Sequence, residues 1–429
     1  MEINLDELKG CYLPTFLDLY INTSKELDLN KFSKDEIGTF CHEWIHFIQD
    51  ITTGSGCNNS YVFFEHFLAC AKKIKDDGIA FTPPVNVGNA FNVETNEELN
   101  RLAWGKDPLR EFTRINDVNV VYAKDVPGLN IRYKETENFP IAITTTDTGD
   151  FQIGMKVLME SMAHLCQDIL CPGTASNHPI YPYHVAELIC ETICHGILDN
   201  PLNLIALCDV SLMSSAPGAY FVSFLKRISQ KQIPMPTCPE IIYDQAYSNP
   251  KFLPKFYEIV HLACHHFCGV LIDPQVFKSY RYWIKHTYLN AIRLRSKDRY
   301  FLLELLRNGK ISKNPKFLEL LNLFGTPLMH NNNGQFGKIP LKDENEWDVE
   351  FLQVIKQIDE IFNNRQKSCA LVEWCKSSAQ HLCQSGIPKD KISIPDASCN
   401  SNPTLRSTAH PQCPFGLVWY AMDLPLMNV

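Results

Sequence analysis

"FCHEWIHFIQDITTGSG", residues 40–56, holds two histidines four positions apart, with a glutamate directly after the first. Upstream, Ser33 followed by Glu36 is a capping-box signature that starts a helix near Lys34. At roughly 100° per residue, Phe40, Cys41, Trp44, Ile48 and Ile51 fall on one face of that helix. Thr39, His42, His46, Gln49, Asp50 and Thr53 fall on the opposite face, and Glu43 lies on its flank beside His46. The Thr-Thr-Gly-Ser-Gly run at 52–56 ends the helix.

This arrangement is what zinc chemistry requires. Histidines at i and i+4 stack, so both imidazoles reach one ion at Zn–N distances of roughly 2.0–2.1 Å. The glutamate after the first histidine reaches a metal-activated water without ligating the ion, and can move its proton. A five-letter match can arise by chance in a chain with 14 histidines. A capped helix whose polar face is centred on those histidines is a more demanding coincidence.

The residues H42-E43-x-x-H46 resemble the active-site helix of the zincin superfamily of metallopeptidases, a likeness confined to this helix and one other. The resemblance implies hydrolysis of a peptide bond in a protein or peptide substrate. It implies one catalytic zinc held by His42 and His46, and Glu43 as general base. A catalytic zinc needs a third protein ligand and an open position. The metzincin extension is absent, because Gln49 and Thr52 occupy its glycine and last-histidine positions. The gluzincin branch takes a later glutamate, and two candidates stand. Glu65, in "YVFFEHFLAC", follows His46 with eighteen residues between them, but lies among Phe63, Phe64 and Phe67. Glu160, in "MESMAHLCQ", is a carboxylate in an apolar helix and needs a partner. The Glu65 spacing is similar to that of gluzincin aminopeptidases, whereas "ESMAHLCQ" resembles the third-ligand helix of several gluzincins; Glu160 is favoured, and His164 on the same face is then placed to orient it or to touch substrate. Asp50 is placed either to take the second N–H of a ligand histidine or to sit at a solvated helix end. Tyr181, Tyr183, His184 and His195 are the candidates for oxyanion stabilisation, with nothing to choose among them.

Working outward, 429 residues suffice for a large core and more than one subdomain. Strand-like runs at 11–22, 118–124 and 139–146 accompany helical periodicity at 34–52, 58–77, 153–170, 184–199, 202–213, 255–268 and 276–308. The expectation is α+β, mostly helical, with a zincin-like core and a minor sheet near the N-terminus. The proline cluster at 234–254 reads as a linker, and "HNNNGQFGKIP" (330–340) as a boundary. Three regions follow: a catalytic region 1–230, a helical region 231–330 and a C-terminal module 331–429.

The net charge of −8 gives no reason to expect nucleic acid as the main partner. No apolar run approaches the roughly 20 residues that span a bilayer, and "MEINLDELKG" lacks a signal-peptide layout. Seventeen scattered cysteines, many inside apolar helical runs, fit a reducing cytoplasm. Oligomeric state is not legible.

Three further signals compete. "HLACHHFCG" (261–269) spaces His261 and His265 like ligands, yet reads as a half-buried helix. In the C-terminal module, His410 and Cys413 beside proline read as half of a second, structural zinc site. Two of Cys369, Cys375, Cys383 and Cys399 would complete it. The segment 278–300, with seven Lys or Arg interleaved with Tyr and Trp, supports an alternative function. In that reading the HExxH helix is structural, and the chain is a non-enzymatic protein binding nucleic acid or an acidic partner.

Overall fold

The computed structural model describes residues 9–78, 81–87, 91–175, 178–271, 277–333, 335–337, 350–365, 368–369 and 371–427. In chain order its elements begin with β1 (Gly10–Leu13), β2 (Asp18–Ile21), α1 (Lys34–Thr52), α2 (Gly54–Asp77) and α3 (Phe91–Trp104). A meander of β3 (Ile115–Tyr122), β4 (Pro140–Thr146) and β5 (Asp150–Ile153) leads into α4 (Met155–Leu170). There follow α5 (Ile180–Tyr183), α6 (Val185–Ile193), α7 (Pro201–Leu212), α8 (Pro217–Ser229), α9 (Pro239–Tyr247) and α10 (Phe252–Val270). Next come α11 (Lys278–Lys297), α12 (Phe301–Arg307), α13 (Pro315–Phe324), β6 (Leu328–Asn331) and β7 (Phe336–Gly337). The described chain closes with α14 (Glu350–Phe362), α15 (Val372–Gln384), α16 (Ser398–Ser401) and α17 (Pro414–Ala421). The protein is mostly helical with two small sheets, an α+β arrangement.

The chain forms two compact units, each discontinuous in sequence. The first takes Met1–Val62, Glu94–Cys264 and Lys285–Asp343; the second takes Phe63–Val93, His265–Ile284 and Glu344–Val429. Compactness in space therefore groups residues differently from the contiguous spans 1–230, 231–330 and 331–429. Of the boundary signal at 330–340, residues 334 and 338–340 lie outside the described residues. The proline-rich stretch 234–254 is also more ordered than a linker: Pro239 occupies the first turn of α9, where its missing N–H is no loss.

In the first unit, β1 pairs antiparallel with β2, β2 pairs parallel with β6, and β6 pairs antiparallel with β7. The N-terminal hairpin thus recruits strands from some three hundred residues downstream. β1 is an edge of this sheet among the described residues. A second, antiparallel sheet orders β3, β4 and β5 side by side.

α1 begins as its sequence dictates. The Ser33 hydroxyl accepts from the Glu36 N–H at 3.3 Å, and the Glu36 carboxylate accepts from the Ser33 N–H at 2.5 Å. Glu36 also accepts from Thr23 and from Lys25, each at 2.6 Å. Burial alone would raise this carboxyl; the bonds from Lys25, Thr23 and Ser33 outweigh it and bring it to about 2. From Phe40 to Thr52 the helix is buried all round, because α4 and the β1–β2 hairpin pack against it. Asp50 is therefore no solvated helix end: it is 1% exposed and accepts from Tyr12 Oη at 2.9 Å and the Thr15 N–H at 3.1 Å.

The 52–56 run does not open a loop. α1 ends at Thr52 and α2 starts at Gly54, with the Thr53 hydroxyl bonded to Gln49 O at 2.7 Å and accepting from the Gly56 N–H. A Cβ on Gly56 would sit 2.4 Å from Asp50 Cα, so only glycine lets the two helices turn this tightly. The last carbonyl of α1 has an unexpected partner. Arg295 Nε donates to Thr52 O at 2.8 Å, and its two terminal nitrogens grip Asp209 at 2.6 and 2.7 Å. Arg295 and Asp209 are each 1% exposed, and Tyr243 Oη also donates to Asp209.

The second unit has an aromatic core of its own. Phe64 stacks on Phe267 at 4.1 Å, Phe67 meets Phe362 at 5.3 Å, and Phe81 and Phe415 both stack on Trp419.

Candidate metal centre

Two helices build the centre. α1 places His42 and His46 one turn apart, each 6% exposed, and α4 brings Glu160 against them. His42 Nε2 and His46 Nε2 lie 3.2 Å apart. Glu160 Oε2 is 3.3 Å from the first and 3.4 Å from the second. Three donors of a tetrahedral zinc, at bond lengths of about 2.0–2.1 Å, stand roughly 3.3 Å from one another. The triangle has that size on all three edges, so the donor set fits the ion. Among the described residues, these three are the sole group of His, Cys, Asp or Glu whose ligand atoms all lie within 4.8 Å. Glu65, on α2, is not part of it.

The approach of α4 depends on small groups. A Cβ on Gly38 would meet Thr174 Oγ1 at 2.3 Å, just beyond the end of α4. Ser161 Oγ donates to Pro182 O at 3.1 Å, tying α4 to α5.

Gln49 orients His46. Its Oε1 lies 2.8 Å from His46 Nδ1 and its Nε2 donates to Met159 O at 3.0 Å, so one buried amide links the metal face of α1 to the backbone of α4. With Nδ1–H donating to Gln49, the His46 ring turns its Nε2 towards Glu160. This is one of the two roles open to Asp50 on sequence, and its carboxylate instead holds Tyr12 and Thr15. His42 has no such partner, its buried Nδ1 being unbonded. Ring packing holds it, with His46, His178 and Tyr183 at 4.8, 5.7 and 5.7 Å between centroids.

The electrostatics follow from burial and proximity. Burial works to raise the Glu160 carboxyl, but the charge and hydrogen bonds of His46 and His42 outweigh it and hold it well below the usual range. Burial works to lower His46, and Glu160 outweighs it and pushes the imidazole up to about 9. The triad therefore carries a proton when no cation is present, and cation uptake must displace it. Glu43, 8% exposed, is pushed up by burial against the pull of His42 and His46. It accepts a hydrogen bond from the backbone N–H of Tyr12 on β1. Glu160 keeps 26% of its side chain exposed, so the centre opens to solvent on that side.

The other named residues separate. His164 does not touch Glu160; its Nδ1 meets His178 Nδ1 at 2.9 Å, and His178 packs on Tyr183 at 4.3 Å. Burial, helped by neighbouring histidines, lowers both His164 and His178 to about 4. Of the oxyanion candidates, Tyr183 alone of the four reaches a ring contact with His42, and burial raises its hydroxyl, keeping it a donor. Tyr181 Oη is bonded to Asp107, His184 Nδ1 to Glu187 at 2.8 Å, and His195 is exposed. His178 escaped the sequence reading; the only signal was its place in the aromatic string "NHPIYPYH".

The competing signals also resolve into residues. His261 and His265 are exposed while Ala263 and Phe267 are buried, a half-buried helix face. In 278–300, Tyr280, Trp283 and Tyr288 are buried and Arg295 is spent on Asp209, which leaves Lys278, Lys285, Arg293 and Lys297 exposed. No helix among the described residues is long and apolar enough to cross a membrane. Comparison with protein families, with curated proteins and with solved structures returns no match to this chain.

Proposed function

We propose that this protein is a zinc-dependent, gluzincin-like metallopeptidase, with His42, His46 and Glu160 holding the ion and Glu43 as general base. The observation that carries the reading is the near-equilateral triangle of ligand atoms, 3.2–3.4 Å on a side, with a buried carboxylate beside it. Bound zinc supplies Lewis acidity, which polarises a scissile carbonyl and lowers the pKa of water towards neutrality. The chain's own residues do the rest. Glu43, raised by burial, takes a proton from the attacking water and returns it to the leaving amine nitrogen. The Tyr12 N–H fixes the Glu43 carboxylate. Tyr183, protonated and packed on His42, would donate to an oxygen that gains charge. β1 supports a peptide as substrate: it is an edge strand whose backbone reaches Glu43, and an extended chain can add to such an edge. The reading is tested with Glu43→Gln on a mixture of unstructured peptides analysed by mass spectrometry. Zinc content should stay at the wild-type level while metal-dependent cleavage disappears. Cleavage at the wild-type rate by that variant would overturn the mechanism.

A further inference from the structure

In the second unit, four cysteines from four segments converge on one small cavity. Cys369 precedes α15, Cys375 lies in its first turn, Cys399 is in α16, and Cys413 is the N-cap of α17. The Cys369 N–H donates to Cys399 O at 2.6 Å, which fixes two of these segments together. The free space at the centre holds about one water-sized body, which excludes an organic ligand and suits an ion.

The walls are not those of a merely apolar void. Arg406 lines the cavity with only 7% of its side chain exposed. Its terminal nitrogens are taken by Asp396, by Ser393 Oγ at 2.7 Å and by Ile394 O at 3.2 Å. Its Nε is buried without a hydrogen-bond partner, and the guanidinium lies beside Cys413. The Gly416 N–H donates to Cys413 Sγ at 3.3 Å. A buried guanidinium with an unspent donor calls for negative charge, and amide and guanidinium donors are what a thiolate shell needs around it.

We propose that Cys369, Cys375, Cys399 and Cys413 bind one structural zinc ion. Four thiols lose four protons to solvent and form four Zn–S bonds, and Arg406 offsets part of the resulting negative charge. Burial pushes the Cys369 thiol up to about 11 and that of Cys375 up to about 12, so both are neutral near pH 7 until a cation displaces their protons. No three of their sulfurs lie within the 4.8 Å of one another that gathers the His42–His46–Glu160 group. Bonds of about 2.3 Å would draw them to roughly 3.8 Å from one another. His410, paired with Cys413 on sequence, is exposed and does not line the cavity, and neither does Cys383.

The test uses the full chain, kept reduced, with Co2+ in place of zinc. Only thiolate ligands give sulfur-to-cobalt charge-transfer absorption, so a His/His/Glu centre cannot produce it. Wild type and the His42→Ala/His46→Ala variant should both show that absorption with the strong visible bands of a tetrahedral site. Cys399→Ser/Cys413→Ser should lose it. Wild type loaded with Co2+ and lacking the absorption overturns the proposal, as does an unchanged spectrum in the cysteine variant. Should the cysteine variant not fold, thiol counting on the wild type decides: zinc should shield four thiols, and equal reactivity with and without zinc overturns the site. Because the signal does not need His42 or His46, this site and the peptidase reading stand or fall separately.

Discussion

Replacing Arg295 by Met would remove the clamp that closes the C-terminal end of α1. The substitution leaves Asp209 buried at 1% exposure with Tyr243 Oη as its remaining donor, and strips Thr52 O of the 2.8 Å bond from Nε. Breaking a buried, bidentate ion pair by deleting one partner costs about 3–5 kcal/mol, a large share of the roughly 5–15 kcal/mol that holds a typical domain folded. At about 1.4 kcal/mol per decade, amide protection in residues 34–56 should fall by roughly two to three and a half orders of magnitude. Hydrogen exchange followed by mass spectrometry reads that segment directly, without assuming that the two units unfold together. The companion Asp209→Leu/Arg295→Met should recover most of the loss, since an apolar pair of similar volume avoids the uncompensated charge. Protection in Arg295→Met within tenfold of wild type would refute the reasoning. So would single-variant losses that simply add in the double variant.

Three further outcomes follow from the geometry. Gln49→Leu keeps the volume but removes the acceptor for His46 Nδ1, and zinc affinity measured by chelator competition should fall about 10- to 100-fold with the fold retained. Gly56→Ala forces a Cβ to within 2.4 Å of Asp50 Cα, and its destabilisation, read by thermal unfolding, should be about 1–3 kcal/mol rather than the gain a helical alanine usually brings. Glu36 titrates at about 2 in the folded chain against an ordinary 4.5; its stabilising contribution is complete above pH 4.5 and is lost as pH falls towards 2. Glu36→Gln should therefore be less stable than wild type at neutral pH, and the gap in urea midpoints should close as the pH is lowered through that window.

The helix α1 was legible because its information is local: a capping box, a 3.6-residue period and a histidine pair all sit within twenty-four residues. Glu160 was harder, and it stood out because a carboxylate amid the Met and Leu of an apolar helical stretch must find a partner. Gln49 and His178 were not legible, since a glutamine on a polar face gives no sign of which backbone carbonyl it will reach. The same limit applies to Arg295. Its place in a basic, aromatic run suggested a surface, whereas its partners Asp209 and Thr52 lie 86 and 243 residues away in sequence. The parallel pairing of β2 with β6 and the discontinuous units are likewise non-local. The cysteine cavity was half legible: Cys369, Cys375, Cys399 and Cys413 line it, whereas His410, paired with Cys413 on sequence, does not.

The central claim is the identity of the metal centre, and anomalous diffraction from zinc-loaded crystals, recorded across the zinc absorption edge, tests it most directly. The account predicts a zinc peak within about 2.0–2.2 Å of His42 Nε2, His46 Nε2 and a Glu160 carboxylate oxygen, with one position open. A peak ligated by Glu65 in place of Glu160, or no peak between α1 and α4 under zinc loading, would contradict it.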